Sequence, residues 1–453
     1  MSRLRVAVIG AGPAGIYASD ILTKEAEGAY EVSIDLFERL PAPYGLVRYG
    51  VAPDHPRIKG VVNALRDVLD SGRIRVFGNV NFGTDLTLDD LRERYHLVIF
   101  ATGAFYDADL DIPGIDAEGS FGAADFVNWY DGYPEAPREW PLDASSVAVI
   151  GNGNVALDVA RVLAKHADDM LPTEIPANVY EGLKGTQVTD VHVFGRRGPL
   201  QVKFTPLELR ELGEVPGVDI VVAEEDFDRD PEADEAAKKN KQILVISRIL
   251  GKWRDAQVTN EAPRRIHLHF YARPDEVVTE NGRVSALRVV RTEPTADGGV
   301  RDTDETRDIP VGQVYRAVGY FGSPLDDVPF DEQRGVVPND AGAVIDGNHE
   351  RVPGLFATGW IKRGPVGLIG ATKSDARETV EQILGDPSGW WQPTVLDDDE
   401  IVALLEERQV RFTNLDGWHR LDAHEQSLGE PEGRERVKVV CRDDMLRISR
   451  DEA

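Results

Sequence analysis

The pattern of apolar and polar positions predicts a strand, a tight turn and a helix at the start of the chain. Residues 4 to 9 form an apolar run, residues 16 to 24 have helical spacing, and a second run at residues 32 to 37 stops at Glu38. The turn between the first run and the helix carries Gly10, Gly12 and Gly15. This is the βαβ pattern of a dinucleotide-binding unit, with an acid where a ribose is bonded.

Each glycine of this turn has a separate physical role. The first permits the tight turn, the second lets the main chain approach a pyrophosphate, and the third lets the helix pack against the sheet. The phosphates then lie at a helix N-terminus, where unpaired N–H groups and the helix dipole attract negative charge. One such motif is weak evidence by itself, because the pattern also arises by chance.

A second copy of the pattern begins at residue 147. An apolar run at residues 147 to 150 precedes a helical stretch that reaches about residue 165, and a further strand covers residues 191 to 194. Its turn carries Gly151, Gly153 and Ala156. This strand is followed by Arg196 and Arg197, whose guanidinium groups suit a 2′-phosphate that a carboxylate would repel. The pattern predicts NADP as the second nucleotide; the alternative is that the arginines form a solvated turn.

Further apolar strands end in small residues, which permit close approach of the main chain to a cofactor. They cover residues 97 to 101, 314 to 318 and 355 to 357. We therefore expect an α/β fold with two Rossmann-like dinucleotide-binding domains, the NADP domain being inserted into a discontinuous first domain. The predicted boundaries are 1–105 and 331–385 for the two parts of the first domain, 106–330 for the inserted domain and 386–453 for a C-terminal extension of open role.

Composition and charge exclude several classes of protein. The 453 residues suffice for two to four domains, and 42% apolar with 29% charged residues is ordinary for a globular protein. A net charge of −28 argues against nucleic acid or an anionic membrane as a partner. No apolar run approaches the roughly 20 residues of a membrane span. We expect a cytoplasmic protein.

The cysteine and histidine residues exclude further chemistry. Cys441 is the only cysteine, so the chain has no internal disulfide, redox dithiol or thiolate cage for an iron-sulfur cluster. An enzyme that passes electrons to its own cysteine pair is therefore excluded. The nine histidines are scattered, and His267 with His269 shares a strand face without further obvious ligands, so no metal site is predicted.

Three longer segments carry a family resemblance. They are LPAPYGLVRYGVAPDHP at residues 40–56, GRRGPLQ with FTPLELREL at residues 195–201 and 204–212, and GWIKRGPVGLIG at residues 359–370. With the two nucleotide units, these segments resemble the adrenodoxin reductase type of NADPH-ferredoxin reductase, particularly its bacterial members. The resemblance covers nearly the whole chain. In one departure, relatives often read Asp-Arg before Leu-x-Ile-Pro-Gly, where this chain has Asp107 and Ala108.

The resemblance implies FAD in the first unit, NADPH in the second, hydride transfer to the flavin and single electrons passed to a ferredoxin. The implied FAD-binding residues, with the glycines of the first turn, are Gly10, Gly12, Ala14, Gly15, Glu38, Leu46, Trp360, Gly367, Leu368 and Ile369. The implied NADP-binding residues are Asn152, Gly153, Asn154, Val155, Arg196, Arg197 and Glu208, with Gly367 close to both ligands.

Three residues are candidates for the chemistry itself. His55 stands between two prolines that stiffen the main chain, and the resemblance places its imidazole near the flavin and nicotinamide, where it can manage a proton. Asp158 matches a family carboxylate linked to that histidine, and Glu208 matches one at the nicotinamide end of NADP. The alternatives are a packing histidine, a solvated helix aspartate and an exposed helix glutamate.

Other functions remain open at this point. The main alternative is a flavin-dependent NADPH oxidase or monooxygenase; a third is an electron-input subunit resembling the small subunit of glutamate synthase. The oligomeric state is uncertain, with a monomer favoured. For docking an acidic ferredoxin, the resemblance indicates a basic region of the inserted domain comprising Lys238, Lys239, Lys241, Arg248, Lys252 and Arg254. Its alternative is a solvated helical face.

Overall fold

The chain forms two compact units. The structure, a computed structural model, describes residues 2–227, 240–256, 262–366 and 369–452. The first unit comprises Met1–Tyr106, Asp131–Glu135 and Tyr320–Ala453, and the second comprises Asp107–Tyr130 and Ala136–Gly319. The boundaries expected from the sequence for the inserted domain are residues 106 and 330. Which nucleotide each unit binds stays a prediction.

The strands and helices follow in chain order. The strands are β1 (Ser2–Ile9), β2 (Tyr30–Glu38), β3 (Ile74–Gly78), β4 (Leu97–Phe100), β5 (Tyr106–Asp107), β6 (Ser120–Gly122), β7 (Ser146–Ile150), β8 (Asp190–Phe194), β9 (Val218–Val222), β10 (Arg264–His269), β11 (Ala272–Glu280), β12 (Arg283–Pro294), β13 (Val300–Pro310), β14 (Gln313–Arg316), β15 (Tyr320–Phe321), β16 (Asn339–Asp340), β17 (Ala343–Ile345) and β18 (Arg351–Ala357). The helices are α1 (Pro13–Glu25), α2 (Leu46–Tyr49), α3 (Pro56–Lys59), α4 (Val61–Leu69), α5 (Leu88–Arg94), α6 (Ala123–Tyr130), α7 (Asn154–Ala164), α8 (Ala167–Met170), α9 (Ala177–Lys184), α10 (Pro206–Leu212), α11 (Lys241–Asp255), α12 (Trp360–Arg363), α13 (Ile369–Gly385), α14 (Glu400–Glu407), α15 (Leu415–Gly429) and α16 (Arg442–Ser449).

The first unit is built on a seven-stranded sheet in the order β16, β17, β18, β4, β1, β2, β3. The strands from β18 to β3 run parallel, and β1 is paired with β2 and with β4. Side chains of β1 enter separate cores on the two faces of the sheet, with Leu4 and Val6 in one core and Ala7 and Ile9 in the other. Burial on both faces explains why these strands read as nearly continuous apolar runs.

The second unit contains a six-stranded parallel sheet in the order β6, β14, β7, β8, β10, β9. A separate antiparallel sheet, in the order β11, β12, β13, packs on it through a core that includes Ala148, Phe194, Leu287 and Val289. In the first unit β1 lies between β2 and β4, and in the second unit β7 lies between β8 and β14, so the strand order reverses at the first strand of each βαβ pattern. Such a switch point leaves a crevice at the carboxyl ends of the strands, where ligands bind in α/β folds.

The C-terminal extension packs into the first unit. Trp418, Leu421 and Met445 from α15 and α16 join the core that contains Leu4 and Val6. Among the helices in the described ranges, none combines the length and apolar character that a membrane crossing requires.

Candidate functional site

The first glycine turn is held by tight main-chain packing. Gly10 has a φ of +109°, and a Cβ atom there would lie 2.5 Å from the carbonyl oxygen of Ala101; a Cβ atom on Gly15 would lie 2.0 Å from the oxygen of Gly10. Gly12 is different, because a Cβ atom there would meet only the Cα of Gly45, at 3.9 Å. Gly12 also precedes α1 without a side-chain cap. The open space and the unpaired N–H groups fit an entering pyrophosphate.

Glu38 lies at the end of β2, beside this turn. Its Oε2 accepts a hydrogen bond from the Ala11 N–H at 2.9 Å, and its Oε1 accepts one from the Leu40 N–H at 3.2 Å. The residue is only 9% exposed. Burial raises the pKa of Glu38, and the two main-chain donors oppose that rise by favouring the charged form. The carboxylate is therefore fixed at the position where a ribose is bonded in this fold.

Two other predicted FAD-binding residues flank the turn. Leu46 is half-buried at the start of α2, and the segment before it is tied to the turn by the Tyr44 N–H, which donates to the Ala11 oxygen at 2.8 Å. Trp360 is half-buried at the start of α12. A Cβ atom on the preceding Gly359 would lie 2.6 Å from the Cβ of Ala14, so α12 begins directly beside α1.

Asp375 is a functional candidate that sequence analysis missed. From α13, its Oδ2 accepts hydrogen bonds from the Gly359 N–H at 2.5 Å and from the Thr358 hydroxyl at 3.2 Å. The same carboxylate pairs with Lys362 at 3.3 Å and Arg363 at 3.0 Å. It therefore sets the shape of the turn that carries Trp360. The available signal was an acid in the helix that follows the third glycine-rich segment.

The C-terminal extension supports the segment around Leu46. Arg48 pairs with Glu425 at 2.6 Å, and the side chains are 4% and 0% exposed. Lys438 donates to the main-chain oxygens of Arg48 at 2.8 Å and Asp131 at 3.0 Å. The Lys438 ammonium group also pairs with the Asp131 carboxylate at 3.4 Å, so each buried charge is compensated by a partner inside the protein, as burial requires. The extension, whose role was open, thus fixes the main chain beside a predicted FAD-binding residue.

The second glycine turn repeats the design. Gly151 has a φ of +148°, and a Cβ atom there would lie 2.2 Å from the Ala317 oxygen, whereas a Cβ atom on Gly153 would meet nothing within 4 Å. The turn is joined to the loop before α10. Asn152 accepts at its main-chain oxygen from the Lys203 N–H, and Asn154 Oδ1 accepts from the Thr205 N–H, both at 2.9 Å. Gly153 is thus left open for a pyrophosphate.

Arg196 and Arg197 follow β8 on a loop whose glycines, Gly195 and Gly198, are buried. Both arginine side chains are exposed, and Val155, on the first turn of α7, is half-buried. Guanidinium groups that stand in water at the tip of the second strand fit the 2′-phosphate of NADP. The structure places them as the sequence analysis expects, and their contact with a nucleotide stays a prediction.

The three candidates for the chemistry are all buried. His55 is 1% exposed, and its main chain is held by a bond from its N–H to the Ala52 oxygen at 3.1 Å. Asp158 is 8% exposed and accepts from Arg161 at 2.8 Å within α7. Glu208 is 2% exposed on α10. Burial argues against the solvated reading of Asp158 and the exposed reading of Glu208.

The histidines of β8 and β10 are engaged with each other. His267 contacts Asp190 at 2.8 Å, and His269 contacts His192 at 2.9 Å through ring nitrogens. Burial lowers the pKa of His192 to about 4 and that of His269 to about 3. No group of three or more potential ligands within the described ranges could hold a metal ion.

The remaining predicted FAD-binding residues lie in the third glycine-rich segment. Gly367 and Leu368 fall outside the described residues, and Ile369 begins α13.

Comparison with known proteins adds the family. The model of the pyridine nucleotide-disulphide oxidoreductases matches residues 4–211. The protein named NADPH-ferredoxin reductase FprA from Mycobacterium tuberculosis is 39% identical, with 98% of each chain covered. The chain belongs to the family of NADPH-ferredoxin and adrenodoxin reductases. The mitochondrial NADPH:adrenodoxin oxidoreductase of Arabidopsis thaliana is 36% identical, with coverage of 98% of this chain and 95% of the relative.

A solved structure of this family agrees closely with the fold. The M. tuberculosis FprA structure in complex with NADPH has a TM-score of 0.91, 37% identity and 99% coverage of both chains. Family membership confirms the predicted α/β fold, the oxidoreductase class and the FAD and NADP cofactors. The roles of the individual site residues stay predictions.

Proposed function

We propose that this chain is a FAD-dependent NADPH:ferredoxin oxidoreductase, which takes a hydride from NADPH and passes electrons singly to a ferredoxin. The observation that carries the proposal is the contrast between two glycine turns, one beside the buried carboxylate of Glu38 and one beside the exposed Arg196 and Arg197. The full-length similarity to a protein named NADPH-ferredoxin reductase supports it. The cytoplasmic location and the monomeric state are part of the proposal and rest on the sequence alone.

The first unit fits FAD at three points. Gly12 leaves room for the pyrophosphate, Glu38 presents a fixed carboxylate for the ribose, and the main chain at Trp360 and Leu46 borders the turn. When bound, FAD supplies the hydride acceptor and the route by which electrons leave one at a time. Asp375 contributes by holding the turn before Trp360 in one conformation.

The second unit fits NADPH by charge and by space. Gly153 lets the main chain approach the pyrophosphate, and the N-terminus of α7 favours its negative charge. Arg196 and Arg197 bind the 2′-phosphate, and Glu208, held on α10, positions the nicotinamide. Correct placement of the reacting ring is the main contribution a protein makes to hydride transfer.

His55 handles the proton in this proposal. The imidazole of His55 lies in a stiff Pro-Asp-His-Pro segment, so its orientation is fixed before substrate binds. It holds or moves the proton that accompanies oxidation of the cofactor. An expected result is that His55→Ala slows reduction by NADPH while the protein stays yellow; a colourless variant would show a structural role.

The docking surface lies on α11. Lys241, Arg248 and Lys252 are all exposed, and their spacing places them within about 40° of one another around the helix. Arg254 is also exposed, and its guanidinium group lies over the ring of Phe227 at 5.1 Å. Lys238 and Lys239 fall outside the described residues. A compact basic stripe offsets the net charge of −28 at short range and draws in an acidic ferredoxin.

The alternative, a flavin-dependent NADPH oxidase or monooxygenase, is distinguished from a ferredoxin reductase by measuring which acceptor receives the electrons of NADPH. Anaerobic stopped-flow mixing with NADPH or NADH, followed by ferredoxin, should give fast reduction by NADPH and reoxidation by ferredoxin. In air, ferredoxin-dependent cytochrome c reduction should account for nearly all of the NADPH consumed. Stoichiometric peroxide formation, with no acceleration by ferredoxin, would support the oxidase instead.

The docking stripe is tested by a matched pair of charge reversals. Lys252 and Lys184 are both exposed and both lie in the last turn of a helix of the second unit. Lys252→Glu should weaken ferredoxin-dependent cytochrome c reduction and flatten its dependence on ionic strength, whereas Lys184→Glu should change neither. Ferricyanide reduction should be the same in all three proteins. Equal losses in both variants would place the docking surface elsewhere.

A further inference from the structure

The loop that carries Arg196 and Arg197 is held in place by hydrogen bonds to three consecutive main-chain carbonyl groups. We call residues 195–198 the arginine loop. The oxygen of Gly195 accepts from the Ala272 N–H at 3.0 Å, that of Arg196 from the Thr292 hydroxyl at 2.7 Å, and that of Arg197 from the Tyr271 N–H at 3.1 Å. With every peptide oxygen engaged, the loop cannot rotate its peptide planes, and this fixes the direction in which the two arginine side chains leave.

Thr292 supplies the only side chain among these three donors. It is 0% exposed, and its own N–H donates to the Tyr271 oxygen at 2.8 Å. The residue lies on β12, where the pairing with β13 shifts register between Val290 and Thr292. Register shifts of this kind re-aim a side chain. Because threonine is branched at Cβ, its χ1 angle is stiff and the hydroxyl stays on the Arg196 oxygen.

The neighbours of Thr292 hold Tyr271 in the required conformation. Tyr271 has a φ of +50°, which is unfavourable for a residue with a side chain. Arg291 lies over its ring at 5.8 Å, donates to the Phe270 oxygen at 3.0 Å, and pairs with the buried Asp226 at 2.6 Å. The main-chain strain is thus sustained by a charged pair behind the loop, as is common at sites that must be held in place.

We propose that Thr292 is a positioning residue for the recognition of the 2′-phosphate, acting through the main chain of the arginine loop. Its hydroxyl holds the Arg196 peptide, so that the guanidinium groups of Arg196 and Arg197 stand together where the 2′-phosphate enters. Thr292 does not touch the nucleotide in this proposal. It rests on the proposed function, in which the second unit binds NADPH.

The test replaces Thr292 by valine, which removes the hydroxyl group and keeps the shape of the side chain. Thr292→Val should raise the KM for NADPH and the dissociation constant of 2′,5′-ADP by about three- to tenfold, the net effect expected of one buried hydrogen bond. The kcat, the KM for NADH and the affinity for 5′-AMP should stay within about twofold of the wild-type values. Thr292→Ser restores the donor, so it should return 2′,5′-ADP binding to near the wild-type value.

A matched control is available in the same unit. The Thr173 hydroxyl also donates to a main-chain oxygen, that of Met170, at 2.7 Å, and accepts from the Ile175 N–H at 3.4 Å, and both partners lie outside the arginine loop. Thr173→Val should therefore leave 2′,5′-ADP binding unchanged. In addition, Thr292→Val should have no further effect on 2′,5′-ADP binding when Arg196 and Arg197 are both alanine, because the residues act as one unit.

The outcomes separate the inference from the proposed function. If Thr292→Val weakens NADPH and NADH equally, or leaves 2′,5′-ADP binding unchanged, the positioning role is wrong. If Thr292→Val does not fold, Thr292→Cys takes its place, because cysteine has nearly the same size and is a weaker donor. The proposal then requires that Thr292→Cys weaken the binding of NADPH and 2′,5′-ADP without weakening that of NADH. If the wild-type protein binds 2′,5′-ADP no better than 5′-AMP, the proposed function itself fails.

Discussion

The two glycine turns share a backbone design and differ in how their specificity residues are presented. Glu38 is internal, and its carboxylate already bonds the Ala11 and Leu40 N–H groups. Arg196 and Arg197 are exposed, and their loop is held through its main chain. The same βαβ unit thus presents a buried acidic residue at the first turn and two exposed basic residues at the second.

The difference suits two kinds of nucleotide, a cofactor that stays bound and a substrate that is released in every cycle. A buried and pre-bonded carboxylate has little freedom left to lose when a ligand arrives, which favours tight and lasting binding. Exposed guanidinium groups keep their hydration until a phosphate replaces it, and this favours repeated association and release. The first turn is therefore suited to a resident cofactor and the second to a nucleotide that exchanges in every cycle.

Removing the exposed bases should have the largest effect. The double change Arg196→Ala with Arg197→Ala should raise the KM for NADPH by roughly 10²- to 10⁴-fold, if each charged bond contributes about 1.5 to 3 kcal/mol. The KM for NADH and the flavin content should stay unchanged, as steady-state kinetics and absorbance would show. An equal loss with NADH would remove the functional distinction between the turns.

Changing the buried acid should act on the other nucleotide. Glu38→Gln removes one of the two acceptors that face Ala11 and Leu40 and should weaken FAD binding by roughly 10- to 100-fold. Flavin release on gel filtration, with titration of the apoprotein, measures this. Binding of 2′,5′-ADP in the second unit should be unaffected. A variant that keeps full FAD affinity would show that the carboxylate serves only the fold.

Alanine at the glycines of the second turn separates shape from binding. A Cβ atom at Gly153 meets nothing within 4 Å, so Gly153→Ala should leave the melting temperature unchanged and weaken NADPH and NADH alike, by about tenfold. Gly151→Ala instead places a Cβ atom 2.2 Å from the Ala317 oxygen and should lower stability by roughly 1 to 3 kcal/mol. Thermal melts paired with 2′,5′-ADP titration distinguish the two. Equal destabilisation by both changes would contradict the open cradle.

The smallest expected effect is a dependence of the stability of the second unit on pH. Burial raises the pKa of Asp107 to about 7, with Asp125 adding to the rise. The folded form then holds a proton that the unfolded form releases near pH 4, so stability falls as pH rises from about 4 to 7. Asp107→Asn lacks this dependence, and its advantage over the wild type should grow over that range and then level off.

Denaturant titrations of the second unit's transition at several pH values measure this effect. Asp125→Asn is the control, because it should move the fall in stability to lower pH. A stability difference between Asp107→Asn and the wild type that does not change between pH 4 and 7 would show that Asp107 is charged in the folded protein over this range.

The nucleotide turns could be predicted because their determinants are local in sequence. Gly15 is required by a contact with the oxygen of Gly10 inside the turn itself, and Gly10 and Gly151 are recognised by their spacing in the motif, although the oxygens they approach belong to the distant residues Ala101 and Ala317. Thr292 and Lys438 could not be predicted, since each is joined to the site by pairing between distant segments. The return of Asp131–Glu135 to the first unit is a further long-range result.

The pairing of Arg48 with Glu425 has a consequence for biosynthesis. The two residues are separated by 377 positions, and at about 5 to 20 residues per second the ribosome needs roughly 20 to 80 s to pass from one to the other. During that time the strands of the first nascent βαβ unit can pair, but Arg48 and the main chain beside Leu46 lack their buried partners. We therefore expect flavin loading to be a late step, which follows synthesis of α15, and a translational pause before that helix to delay the yellow form without slowing the earlier folding.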